Sequence, residues 1–327
     1  MSPPAVSKTR GLAALGWGIL AVAGCMLSGG CKQPCPPLET VVGVDVVVAE
    51  YNREVRRIGR LWARADIAFK ENAIALPLHT DGLLVLQKAG DPAGPQDFFL
   101  KFKEAGQEIG RIGISMQDDV YYTWFIAGGK QQCLWGWLGL AGAPGIEAIP
   151  IDPTQLLSVL SVCELPAPQR DVPFVGQTIR TDPCAYVLTY ADRQPITGKL
   201  LFKREVYFRW SLSEPRRPFM VKLLDERGIC VLTARMKDYR PVQLADGNDR
   251  SDEPPMMPTD IRLTWTKTGS ELHLKLSGMT TDDRVDPDAY RFWDRLPVTL
   301  RTGAVQVDAD LNPPVGPVGR PPKRDKD

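Results

Sequence analysis

The sequence predicts a mainly β protein of the α+β class: an antiparallel sheet of about eleven strands, with one helix at its start and a short one in mid-chain. Three observations predict it. Apolar and polar residues alternate over most of the 327-residue chain, the pattern of strands that bury one face and wet the other. Helical periodicity occurs at only two places. Those places are the start and the middle of the chain, not the gap after every strand, which excludes a parallel α/β arrangement.

The first helix is read from Asp45, its expected N-cap. Val48, Tyr51, Val55, Ile58 and Trp62 follow three and four apart, while Glu50, Arg53, Arg56, Arg57 and Arg60 fall elsewhere on the wheel. Such a stripe belongs on a sheet. The second helix is announced by Asp152-Pro153-Thr154-Gln155, a cap, a proline at the first helical position and a residue able to close a capping box. Leu156, Leu157 and Leu160 form its apolar side, and Pro166 lies beyond its end. Strands are expected at 65–69, 82–88, 98–102, 108–115, 120–125, 185–190, 200–208, 219–225, 229–239, 261–265 and 272–276. In the stretch 200–208, for example, Leu200, Phe202, Val206 and Phe208 stand opposite Lys203, Glu205 and Arg209. Lys88-Ala-Gly-Asp-Pro, Glu104-Ala-Gly, Ala127-Gly-Gly-Lys and Asp225-Glu-Arg-Gly read as turns, and 246–258 as a polar, proline-rich loop.

Eleven strands at about 4.8 Å span roughly 50 Å, whereas a helix is about 10 Å across, so two helices shield only about four strand widths. The remaining apolar face must close on a second sheet, as in a sandwich, or curl around the helices and leave a concave apolar interior.

The chain opens with Lys8 and Arg10 and an apolar run over 11–24, the proportions of a signal peptide and too short for a membrane span. Val22-Ala23-Gly24-Cys25 resembles the bacterial lipobox, in which small residues precede a cysteine that receives a diacylglycerol thioether. Cys25 is the expected lipidation site and Cys31 the alternative, because the residue three before it is Ser28 where Cys25 has Val22. An ordinary cleaved secretory peptide is the competing reading. Two or three acyl chains would hold the protein to a bilayer; one alone would not. The resulting organisation is a signal peptide at 1–24, a proline-rich tether at 25–44, a folded domain at 45–300 and a proline-rich tail at 301–327, disordered from Asn312 onward.

Several function classes are disfavoured. The formal charge of +1 becomes −1 once Lys8 and Arg10 leave with the leader, so nothing steers the chain to nucleic acid. There is no G-x-S-x-G elbow, no H-E-x-x-H, no phosphate loop and no dinucleotide fingerprint, and the expectation is a protein without catalysis, cofactor or metal. Of the two histidines, His79 followed by Asp81 could orient a base, yet its surroundings read as strand entry. Acidic residues between Thr281 and Asp288 suit turns better than calcium, and Asp308-Ala-Asp-Leu-Asn312 fails as an EF-hand at Pro313 and Gly319. With Cys25 acylated, six of the seven cysteines remain; disulfides are permitted, in fifteen possible connectivities.

The lipobox, the helix running into a strand ("VVVAEYNREVRRIGRLWARADIAF"), the alternating hairpins, the "YYTWF" segment and "PIDPTQLLSVLSV" together resemble the lipoprotein-sorting superfamily of LolA and LolB over about 45–300. The resemblance implies an incomplete antiparallel barrel capped by helices, with an apolar cavity for acyl chains. It implies a monomer tethered to the bilayer and facing the periplasm, with the outer membrane favoured because Met26 is not the aspartate of an inner-membrane retention signal. Acyl chains or other lipoproteins are the expected partners. A scaffold with a filled core is the alternative. The expected lipid-contacting residues are Phe102, Phe202 and Phe208 from apolar strand faces and Trp124, Trp135 and Trp137 from the aromatic stretch 118–145, which reads either as a core-packing hairpin or as a protruding loop.

Overall fold

The computed structural model describes residues 35, 41–70, 78–88, 96–127, 130–141, 143, 151–168, 173–193, 200–210, 216–245, 253–282 and 285–311. The chain divides into two units, Met1–Pro37 and Leu38–Asp327, and the fold below is that of the second. Cys25, Cys31, the leader and the end of the tail lie outside the described residues.

Helix α1, Val44–Arg56, buries Val47, Val48, Tyr51, Asn52 and Val55. It starts from Gly43, without a side-chain cap, instead of from Asp45, which sits in its first turn and there faces the positive end of the helix dipole. The apolar stripe does not continue to Trp62. The helix ends at Arg56, the chain turns through Ile58 and Gly59, and Trp62 belongs to strand β1, Arg60–Lys70. Helix α2, Pro153–Val159, is as expected: the Asp152 carboxylate accepts from the Thr154 backbone N–H at 2.8 Å and from its hydroxyl at 2.7 Å.

The sheet has fourteen strands, not about eleven. After β1 come β2 (Leu78–Gln87), β3 (Asp97–Glu104), β4 (Gln107–Ser115), β5 (Val120–Ala127), β6 (Lys130–Trp137), β7 (Phe174–Thr181), β8 (Cys184–Arg193), β9 (Leu200–Arg209), β10 (Pro218–Leu224), β11 (Cys230–Pro241), β12 (Met256–Trp265), β13 (Glu271–Thr280) and β14 (Ala304–Gln306). The three unforeseen strands are β6, β7 and β14. Their order across the sheet is β14-β6-β5-β4-β3-β2-β1-β13-β12-β11-β10-β9-β8-β7, antiparallel throughout except for the parallel pair β14 and β6. The folded chain therefore continues past residue 300, through β14 to Leu311.

The contacts of α2 settle sandwich against curl. This seven-residue helix packs on β4 and β5 and also on β10. Six strands separate β4 from β10, which on a flat sheet would place them about 34 Å apart, while seven helical residues span only about 10 Å. The sheet can meet both ends of that reach only by curving, and it is a single open, curved sheet.

Directly paired residues share a face, so the register assigns the concave lining. Leu188, Val206, Val221 and Ala234 form one cross-strand row, and Leu134, Thr123, Ile112, Leu100 and Leu84 another. Two hydrogen bonds seal α1 to the segment after α2: Asn52 Nδ2–H donates to the Leu165 carbonyl, and the Leu165 N–H donates back to Asn52 Oδ1, both at 2.8 Å and both buried. The Tyr51 hydroxyl donates to the Cys163 carbonyl at 3.0 Å. Paired arginines clamp the outer side of α1, Arg216 on Glu50 and Arg217 on Glu54.

The convex face has its own cover. The C-terminal segment, with short helices α3 (Phe292–Arg295) and α4 (Val298–Arg301), buries Tyr290, Phe292, Leu296 and Leu300 against Val85, Phe99, Tyr122 and Trp135. Its end is pinned by Asp308, whose carboxylate accepts from the Trp137 N–H at 2.6 Å. The residue that opened the failed EF-hand match is thus a strand-end cap.

Candidate functional site

The expected lipid-contacting residues divide between the two faces. Phe102 and Phe208 lie on the concave side; Phe102 meets Phe125 with ring centroids 5.0 Å apart, and Phe208 meets Tyr51 of α1 edge-on at 5.9 Å. Both are essentially unexposed. Phe202 is on β9, paired with Ala191, and its side chain lies outside the described residues. Trp124, Trp135 and Trp137 are on the convex side, at most 7% exposed, and packed under Phe292 and Leu296. The aromatic stretch is a strand pair beneath a covering segment, with Trp135 against Trp137 at 5.4 Å and against Trp293 at 5.1 Å.

An opening remains on the concave side between α2 and strands β8 to β11. This cleft has a volume of about 340 Å³. Pro166, Pro173, Leu223, Leu224 and Val231 make it apolar, while Thr154, Gln155 and Ser158 of α2 form a polar margin. Its roof is the segment held by Asn52, and the Tyr190 hydroxyl donates to the Pro166 carbonyl at 3.4 Å.

Arg204 also lines the cleft, and sequence reasoning missed it. On β9 it falls in phase with Val206 and Phe208, and it pairs with Tyr190 of β8 and Leu223 of β10. Its guanidinium stacks over the Tyr190 ring, 5.1 Å from the centroid. The signal that could have found it is a charge in the apolar phase of an otherwise alternating strand. Burial raises the Cys163 thiol to about 11 and the Tyr190 phenol to about 12, and Arg204 opposes both shifts, as a cation facing the interior should.

A second groove, about 740 Å³, is bounded by Asp238, Arg240, Asp260 and Lys275 among others. Its size is greater, but charged walls suit it poorly to apolar ligands. Among the described residues no cluster of three or more His, Cys, Asp and Glu could hold a metal ion. His79 and Asp81 stand on β2, both exposed, and His273 pairs with Asp260 at 2.9 Å. Cys133, Cys163 and Cys230 are free thiols, whereas Cys184 is disulfide-bonded. No helix among the described residues is long and apolar enough to cross a membrane.

No protein-family model matches the chain, and no curated protein matches it. Solved structures do. A DUF1329 family protein from Desulfovibrio piger is 12% identical, with 77% of this chain and 99% of that one covered and a TM-score of 0.47. A domain described as an outer membrane lipoprotein-sorting protein, from Vibrio parahaemolyticus, is 10% identical over 75% and 95% of the two chains, with a TM-score of 0.49. A LolA superfamily protein from Nitrosomonas europaea is 13% identical over 76% and 97%, with a TM-score of 0.45. An open antiparallel sheet curved around its helices is the architecture that the LolA/LolB resemblance implied.

Proposed function

We propose that this protein is a bacterial cell-envelope lipoprotein that takes an acyl chain, free or borne by a lipidated partner, into the cleft between α2 and β8 to β11. The observation that carries the reading is the cleft itself: an apolar recess on the concave face, open to solvent, that the described side chains leave unfilled. At about 340 Å³ it lies at the small end of the range for ligand pockets, roughly 300–1,000 Å³, so it suits one chain and not a bundle of them. Burial of each methylene contributes about 0.8 kcal/mol, and eight would supply about 6 kcal/mol before the entropy of ordering the chain is subtracted. In this reading Cys25 carries the membrane anchor, the folded domain faces the periplasm from the outer membrane, and the protein acts as a monomer in lipid or lipoprotein transport.

A second reading rests on the rest of the concave face. Phe102, Leu134, Phe208 and Ile261 there are covered by the protein itself, as in a scaffold with a filled core. Mass spectrometry of lipid retained after native extraction separates the two. The carrier reading expects bound lipid in the full chain and its loss when Leu223→Trp fills the cleft; lipid-free protein in both favours the scaffold. For the anchor, fatty-acid labelling should vanish in Cys25→Ser and persist in Cys31→Ser.

A further inference from the structure

We infer that the cleft is built for an amphiphile with a single anionic head group, a carboxylate or a phosphate, which Arg204 receives with help from Lys203. This rests on the acyl-chain reading and adds the chemistry of the head.

Arg204 is half-buried and has no carboxylate partner among the described residues. Other buried or half-buried arginines are ion-paired to carboxylates, Arg111 to Glu108, Arg216 to Glu50, Arg217 to Glu54 and Arg291 to Asp288. Arg204 is not. Among the described residues its recorded contact is the face of Tyr190, and no carboxylate is ion-paired with it. Its neighbours across the ladder are Tyr190 and Leu223, and the walls nearby are Pro166, Leu224 and Val231. A cation in such surroundings has lost part of its hydration without gaining an opposite charge, an arrangement that favours an anion arriving from outside.

The geometry suits that anion. The guanidinium rests over the Tyr190 ring, 5.1 Å from its centroid, and a guanidinium can present parallel N–H donors to two oxygens of one carboxylate or phosphate. Lys203 lines the same cleft and adds a second positive charge. Among the described residues the one carboxylate in the lining, Asp192, is already partnered. Leu223 is the direct neighbour of Arg204, so a head bound by the guanidinium would hand its chain to the apolar wall.

The test compares a fluorescent C18 fatty acid with the corresponding C18 alcohol. The protein is the full chain with Cys25→Ser and Cys31→Ser, which removes its own acyl groups. Wild-type Arg204 should bind the acid more tightly than the alcohol. Arg204→Gln should weaken the acid roughly 10- to 100-fold, the range for a lost hydrogen bond to a charged group, and change the alcohol less than about twofold. Arg204→Lys, which keeps the charge but loses the fork, should fall between them. Oleate and lysophosphatidic acid, run as competitors, distinguish the carboxylate from the phosphate source, and displacement by either supports the site. Equal binding of acid and alcohol, unchanged by Arg204→Gln, would overturn the anionic head while leaving the acyl-chain reading intact. Failure of both probes to bind would overturn both. Should Arg204→Gln not fold, salt titration of the wild type decides: the preference for the acid should shrink as salt rises, and a salt-independent preference would count against the inference.

Discussion

Replacing Asn52 with alanine should loosen the roof of the cleft and lower the stability of the whole domain. Asn52 is 5% exposed and Leu165 4% exposed, and their two 2.8 Å hydrogen bonds join segments 113 residues apart. Each bond contributes about 1 kcal/mol net, and the truncation also leaves the Leu165 N–H and carbonyl without partners, at about 1–3 kcal/mol for each buried orphan. Water reaching one of the two groups brings the expected total to about 3–5 kcal/mol. For a domain of this size 1 kcal/mol corresponds to roughly 2–4 °C, so the melting temperature should fall by about 6–20 °C. Urea denaturation measures the free energy directly. Asn52→Asp retains the acceptor for the Leu165 N–H and loses the donor to its carbonyl, and its fluorescent fatty-acid affinity should be reduced along with its stability. A loss below about 0.5 kcal/mol in Asn52→Ala, with unchanged ligand binding, would refute the claim that this pair holds the roof.

Trp135→Ala should cost about 3–5 kcal/mol, because the indole is buried among Trp137, Phe292 and Trp293; a double Trp135→Ser, Trp137→Ser variant that keeps its stability and loses only vesicle binding would show that these side chains face lipid instead. Lys88 donates to the Val55 carbonyl at 2.7 Å, and burial lowers its ammonium to about 8, with Cys163 and Glu164 opposing. A folded pKa below the unfolded value of 10.5 means that the buried charge is a cost below pH 8, relieved as pH rises from about 8 to 10.5. Urea denaturation across that window should show the wild type gaining on the order of 1 kcal/mol relative to Lys88→Met, a figure kept small by the residual exposure of the ammonium; parallel curves would contradict the shift.

Strands such as β1, β11 and β13 were legible because one of their faces is wet. The hydrophobic period of β13 is visible in Leu272, Leu274 and Leu276 against polar neighbours, and the structure buries those three. Strand β6 was hidden for the opposite reason: Leu134 and Trp135 point to different faces and both are buried, so no alternation survives in the sequence. At the open edge, β7 buries neither face, and its polar pattern resembles a loop. Three residues of β14 are too few for any period. Curvature could not be read from strands alone, since it depends on which distant strands a single short helix touches. The cleft was legible in kind, as an apolar recess on a curled sheet, but not in place. Phe102 and Phe208 were consumed by packing on α1 and on neighbouring strands, and what remained open was set by where α2 and its following segment stop covering β8 to β11. Arg204 differs: its position in an apolar phase was visible in the sequence before any fold was known.

Photoaffinity labelling with a diazirine-bearing C16 fatty acid tests the carrier account most directly, because it reports where the chain lies. Labelled peptides should come from 154–166, from β8 around Tyr190 and from β10 around Leu223, and labelling should be displaced by unlabelled fatty acid. Labels confined to the convex face around Trp135 and Trp293, or none above background, would contradict it.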